Sequence, residues 1–224
     1  MNLLAIDTAT DTCSVALKCG EALLSCKRYE PRAHGRLVLP WIGELLSEAG
    51  IIYSQLDALA IDRGPGGFTS LRIGLSIAQG IALAHDLPLL PVSSLAALAY
   101  NGQPDGFSGR LLTAFDARLG ELYAASFEVD RTHIRLIGRE QLCRPADIGQ
   151  IVSQPPDAAA GNAFNVYAGA LADWSASFKN RINSQAIPDA NAVVQLASES
   201  DATDAVNLQP VYLRDEVTNI RKTS

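Results

Sequence analysis

The 224-residue sequence is poor in the side chains that usually carry chemistry. It has only three histidines, His34, His85 and His133, and no two stand four apart, so a zinc-hydrolase helix is excluded. The four cysteines, Cys13, Cys19, Cys26 and Cys143, form no C-x-x-C pair and none sits near a histidine at zinc spacing. Three of them fall in apolar, strand-like segments, where a reduced thiol acts as a small hydrophobe, and a reducing compartment is expected. There is no G-x-S-x-G elbow and no G-x-x-x-x-G-K-[ST] loop, which removes the hydrolase nucleophile and the Walker phosphate cradle. A basic excess is also missing. Lys and Arg number 18 against 24 Asp and Glu, a formal net charge of −6, so strong nucleic-acid binding by this chain alone is not expected. The first residues lack a charged segment followed by an apolar one, so no secretory signal is expected. The longest apolar stretch, Leu71 to Tyr100, is interrupted by Arg72, Gln79, His85, Asp86, Pro88 and Pro91 and cannot span a bilayer. A cytoplasmic chain with no membrane contact, no tightly bound cofactor, no metal and no catalytic residue of its own is expected.

What is present is an ordinary globular composition, 48% hydrophobic and 19% charged, on a chain long enough to bury a core without staples. Leu3–Asp7, Cys13–Lys18 and Ala22–Arg28 read as short strands joined by turn-rich links, an antiparallel meander. A helix over Arg36–Ala49 ends at Gly50, with Pro40 as a kink or a late start. The strand Leu56–Ile61, the helix Ser70–Ala84, the strand Leu87–Val92 and a short helix Ser93–Tyr100 complete a βββαβαβα order, which gives a mixed sheet with helices on its faces. The polar, glycine-bearing stretch Asn101–Gly109 marks a boundary. Beyond it, strands at Arg110–Phe115, Glu121–Val129 and His133–Arg139 repeat the opening pattern. Shorter elements follow near Pro145–Val152, Asp157–Ala160, Tyr167–Ala172 and Ala190–Ser198, and a loose basic end closes the sequence. The expectation is an α/β fold of two subdomains, residues 1–103 and 104–224, the second a shortened echo of the first, with room for the final segment to pack back on the first.

The densest signal is Arg63-Gly-Pro-Gly-Gly-Phe-Thr-Ser-Leu-Arg-Ile-Gly74. A strand, a glycine turn and a helix start capped by Thr69 or Ser70 leave free N–H groups that can hold an anion. The same arrangement also serves simply to bring a strand and a helix close together, which is the commoner use. Asp7 closes the first strand beside Thr8, where a carboxylate can hold a hydrated cation near a phosphate or can merely cap a turn. Asp62 and Asp116 also fall at strand ends, and three such carboxylates are the raw material of a two-metal nuclease. Two glycines inside the helix Ser70–Ala84 are costly, about 1 kcal/mol each against alanine, and imply that something packs closely there, either the sheet or a helix of another chain. On the second alternative, Leu37, Trp41 and Leu45 of one helix and Leu71, Gly74, Leu75, Ala78 and Ile81 of the next form a docking face. The same face would serve a homodimer when the partner is absent.

The segments Leu4–Thr10, Cys13–Leu17, Arg63–Gly66, Phe68-Thr69, Leu71–Gly74, Pro91–Leu95, Asp116–Arg118 and Pro210–Arg214, in this order and nearly end to end, resemble the bacterial TsaB (YeaZ) family. Gly67 and Ser70 depart from the family's usual Ser and Gly. The resemblance implies an actin-like ATPase (ASKHA, RNase H-like) fold and a role in making N6-threonylcarbamoyladenosine at position 37 of tRNAs that read ANN codons. It implies an accessory subunit docked on a paralogous transferase, TsaD, with a TsaE-like ATPase joining them, tRNA met only through the complex, and ATP and metal held by the partners. At the positions matching the paralogue's metal-binding histidines this chain has Ser94 and Leu98, a poor ligand and a non-ligand. Two enzyme readings stand against this one: an ASKHA phosphotransferase or metallopeptidase, and an RNase H-like nuclease using Asp7, Asp62 and Asp116.

Overall fold

The computed structural model describes residues 1–152, 154–197 and 202–214. Strands β1 (Asn2–Asp7), β2 (Thr12–Cys19) and β3 (Ala22–Tyr29) form the expected meander. Helix α1 (His34–Ala49) starts two residues early and runs through Pro40, and Gly50 closes it in the left-handed region at φ 68°, which glycine tolerates without strain. Strand β4 (Ala58–Asp62), helix α2 (Phe68–His85), strand β5 (Leu89–Val92) and helix α3 (Ser94–Gly102) follow. Ser93 caps α3, its hydroxyl accepting from the Leu95 and Ala96 N–H groups at 3.1 and 3.2 Å. The second half carries β6 (Ser108–Arg118), β7 (Glu121–Asp130), β8 (His133–Cys143), β9 (Ala158–Ala160), α4 (Ala163–Val166), α5 (Ala168–Ser175), β10 (Ile182–Asn183) and α6 (Ala190–Ala197). Three expectations shift here. Pro145–Gln150 is a 3-10 turn, the helix near Tyr167 is two short helices meeting at that residue, and β10 carries no strand pattern of its own. Ser198 and the basic end, residues 215–224, lie outside the described residues.

The two sheets repeat one topology. The first is ordered β3-β2-β1-β4-β5 and the second, read from the same edge, β8-β7-β6-β9-β10. Strand alternation sets the packing. Leu4 and Ile6 point to the face covered by α1 and α2, while Leu3 and Ala5 point to the opposite face. That second face is unusually small-sided, with Ala5, Ala16, Ala58 and Ala60, and α6 lies on it. On the second sheet, Leu111, Phe115 and Phe127 pack against Leu95, Leu98 and Ala99 of α3, and Leu112 and Ala114 pack against Ala163, Phe164 and Leu171. The halves thus exchange a helix: α3 follows the first sheet but covers the second, and α6 follows the second but covers the first. Ion pairs tie the exchange together, Lys27 to Asp189 at 2.8 Å and Arg63 to Glu140 at 3.2 Å. Thr203 then bridges to Leu89, and a strap of residues 205–214 runs beside α2, with Gln79 donating to the Ala205 carbonyl at 2.8 Å.

Candidate functional site

The C-terminal ends of β1 and β4 bring Asp7 and Asp62 together, because the two strands are adjacent and parallel. Both carboxyls are buried. The Ala9 N–H donates to Asp7 Oδ1 at 2.8 Å, and the Gly64 N–H and Ser94 Oγ donate to Asp62 Oδ1 at 2.7 and 2.5 Å. Loss of solvent, then the neighbouring Asp62 charge, holds the Asp7 carboxyl well above the ordinary value of 3.8. Asp62 is also raised by burial, but its three hydrogen-bond donors favour the anion. Asp7 is thus the member of the pair held toward the acid form and Asp62 the member held toward the carboxylate, while the remaining oxygens, Asp7 Oδ2 and Asp62 Oδ2, are buried without a hydrogen-bond partner. Asp116, the third strand-end carboxylate, is elsewhere. It lies on the second sheet, where Tyr167 Oη donates to it at 2.7 Å and Arg118 lies 3.3 Å away. Among the described residues no three His, Cys, Asp or Glu side chains gather to hold a metal. The trio expected for a nuclease is not assembled.

The glycine turn takes the packing alternative. The Gly67 N–H donates to the Ala9 carbonyl at 2.8 Å, and a Cβ on Gly66 would lie 2.5 Å from that same oxygen. The turn's open side is filled by the chain's own β1–β2 link. Helix α2 begins at Phe68, not Ser70, and no side chain caps it; Ser70 Oγ instead donates back to the Gly67 carbonyl at 3.2 Å. Thr8 follows the same logic. A Cβ on Gly74 would sit 2.3 Å from Thr8 Oγ1, so the glycine exists to admit that side chain. Ser94 and Leu98 are fully buried, the serine bonded to Asp62 and the leucine in the core, and neither fits a metal.

The eight residues expected at a partner face are corrected by burial. Leu37, Trp41, Leu45, Leu75, Ala78 and Ile81 belong to the core that α1 and α2 make with the first sheet, and Leu71 and Gly74 are buried as well. Helical spacing identified the apolar stripe, and the chain's own sheet covers it. The outward sides of the same helices carry a different set: Leu39 is 49% exposed and Leu83 67%, and a Cβ on Gly43 or Gly80 would meet nothing. No helix among the described residues is long and apolar enough to cross a membrane.

Sequence reasoning missed a cleft of about 790 Å³ between the two sheets. Its walls are the β1–β2 link, the start of α2, the β6–β7 turn and the C-terminal strap. Arg72 lies on the wall with its guanidinium 3.7 Å from the centre of the Phe68 ring, one helical turn before it, and its Nε donates to Tyr212 Oη at 2.7 Å. Arg118 bridges to Asp11 at 2.8 Å, and Arg214 of the strap holds Glu121 at 2.7 Å. The Phe68–Arg72 spacing was legible; Tyr212, 140 positions from Arg72, was not.

Comparison with known proteins gives a consistent set. Residues 28–221 match the family model described as TsaD, tRNA N6-adenosine threonylcarbamoyltransferase. A Haemophilus influenzae protein named tRNA threonylcarbamoyladenosine biosynthesis protein TsaB is 35% identical, over 97% of this chain and 95% of that one. A Streptococcus thermophilus tRNA N6-adenosine threonylcarbamoyltransferase is 32% identical over 73% of this chain and 49% of its own length. A Pseudomonas aeruginosa crystal structure, titled as an uncharacterized protein with similarity to the peptidase YEAZ, superposes with a TM-score of 0.81 at 32% identity, covering 95% of this chain and 99% of that one.

Proposed function

The chain belongs to the TsaB (YeaZ) family of actin-like, two-subdomain proteins, and from that premise we propose that it is a non-catalytic partner subunit in tRNA threonylcarbamoyladenosine biosynthesis. In this reading it docks on a TsaD-like transferase in the cytoplasm and activates threonylcarbamoyl transfer to N6 of adenosine 37 in tRNAs reading ANN codons. A TsaE-like ATPase joins the pair, tRNA is met only through the complex, and this chain holds neither ATP nor a metal tightly.

The observation that carries the docking half is the outward face of α1 and α2, where Leu39 and Leu83 stand in solvent beside open glycines. A transferase 32% identical over 73% of this chain is a relative with which a heterodimer can repeat the two-fold packing of a homodimer. The non-catalytic half is supported by Ser94 and Leu98, which are fully buried and stand where a metal-binding histidine pair would be needed. Burying a leucine-sized side chain contributes about 1.5–3 kcal/mol, so one charge in its place weakens association by roughly ten- to hundredfold. Leu83→Glu is expected to melt like the wild type, to run as a monomer in size-exclusion chromatography, and to lose co-elution with the TsaD-like partner. A folded variant that still dimerises and co-elutes places the interface elsewhere. Ala78→Arg is no substitute, since Ala78 is fully buried and the charge would unfold the chain.

A further inference from the structure

We infer that the cleft between the two sheets binds a small ring-bearing anion, an aromatic ring carrying a phosphate or a carboxylate, with Arg72 as its anion contact. This goes beyond the docking role and does not depend on it, because Leu39 and Leu83 are not in the cleft.

Three observations converge. First, five of the twelve exposed large apolar side chains among the described residues, Tyr29, Phe68, Leu119, Val166 and Tyr212, line this one cleft. A volume near 790 Å³ lies within the usual range of about 300–1,000 Å³ for small-molecule sites, and such sites are lined by aromatics with a few placed polar groups. Second, Arg72 is held rigid but keeps its charge uncompensated. Phe68 stacks on one face, Tyr212 Oη fixes Nε, the Tyr212 ring centre is 5.4 Å away, and among the described residues no carboxylate forms an ion pair with it. Its two terminal nitrogens remain as a planar fork, the geometry that suits carboxylate and phosphate. The other cleft arginines are committed, Arg118 to Asp11 and Asp116, and Arg214 to Glu121. Third, the glycine turn itself is filled, since Ala9 packs against Gly66 and takes the Gly67 N–H. An anion entering the cleft meets Arg72 as the cleft arginine without a carboxylate partner, and the apolar rim then selects for a ring.

The test is a titration of the full chain by calorimetry and by amide NMR. Phenyl phosphate and benzoate are the ring-bearing probes; benzyl alcohol (ring without charge), inorganic phosphate and acetate (charge without ring) are the controls. A ring-bearing probe is expected to saturate with a Kd of roughly millimolar or below, at least tenfold tighter than any control, and to shift the Arg72 Nε–H signal. Saturation by phenyl phosphate alone assigns the phosphate source, by benzoate alone the carboxylate, and by both a site reading charge and ring together. Arg72→Met is expected to weaken binding by about ten- to hundredfold. If that variant melts early, Arg72→Lys, which keeps the charge without the fork, must still show weakening. No saturable binding of either ring-bearing probe, equal binding of the ringless anions, or unchanged binding in a folded Arg72 variant overturns the inference.

Discussion

Gly74→Ala is expected to destabilise the chain by about 1–3 kcal/mol or more, while Gly80→Ala, six residues along the same helix, is expected to stabilise it by up to about 1 kcal/mol. Intrinsic propensity is identical at the two positions, and alanine is favoured at both. The surroundings decide the sign. A Cβ at Gly74 meets Thr8 Oγ1 at 2.3 Å and Thr8 Cγ2 at 3.2 Å. Thr8 is fully buried and β-branched, so it has no free rotamer to retreat to. Its backbone is also held, by the Ala9 N–H bond to Asp7 on one side and the Gly67 N–H bond to Ala9 on the other. At Gly80 nothing lies within 4 Å of the added methyl. Thermal unfolding of the two variants should therefore shift in opposite directions. A harmless Gly74→Ala would show that the β1–β2 link yields easily and that the close approach is not what fixes the glycine.

Asp7→Asn is expected to raise the denaturant midpoint above that of the wild type at pH 7–8 and to lose that advantage in acid. The folded state holds the Asp7 proton more tightly than the unfolded chain does, because burial and the Asp62 charge both oppose ionisation. Between the ordinary value of 3.8 and the raised folded value, the folded state binds more protons, so the wild type loses stability as pH rises through that window. Asparagine removes this dependence: its carbonyl can accept from the Ala9 N–H, and its amide supplies a donor beside the buried, unpartnered Asp62 Oδ2. Denaturant midpoints for both proteins across pH 4–8 should converge at the acid end and separate toward pH 8. Asp7→Leu, which strands the buried Ala9 N–H, should be less stable than the wild type at every pH. An Asp7→Asn variant that tracks the wild type at all pH values would mean that the pair is charged and solvated, and not one acid with one carboxylate.

The elements that local rules control were legible in the sequence. The β1–β3 meander follows from alternation and short turns, Gly50 from the left-handed helix end, and Ser93 from its reach to two N–H groups. Where residues distant in sequence supply the partner, the local pattern stayed silent. The start of α2 has no side-chain cap, and the turn before it is held instead by the Gly67 N–H bond to the distant Ala9 carbonyl. α6 reads as one more short amphipathic helix, yet it covers the first sheet, and only the four small residues beneath it explain how closely it lies. The proposed docking face shows the same limit most plainly. Periodicity grouped Leu37, Trp41 and Leu45 with Leu71, Leu75 and Ala78, and the structure buries all six, five of them in one core cluster. Periodicity says which residues share a face; it does not say whether a sheet of the same chain or a helix of another covers it. The cleft was least legible of all, since Tyr212 and Arg118 reach it from opposite ends of the second half.

On the proposed function, this chain contributes a surface and no chemistry. The direct measurement is threonylcarbamoyl transfer to tRNA in a reconstituted system containing the TsaD-like and TsaE-like partners, with this chain supplied as wild type, Asp7→Asn or Leu83→Glu. The account predicts full transfer with Asp7→Asn, which changes the one polar cluster resembling a catalytic site, and at least tenfold less at limiting protein with Leu83→Glu, which changes only an exposed leucine. Transfer abolished by a folded Asp7→Asn chain and untouched by Leu83→Glu would contradict it.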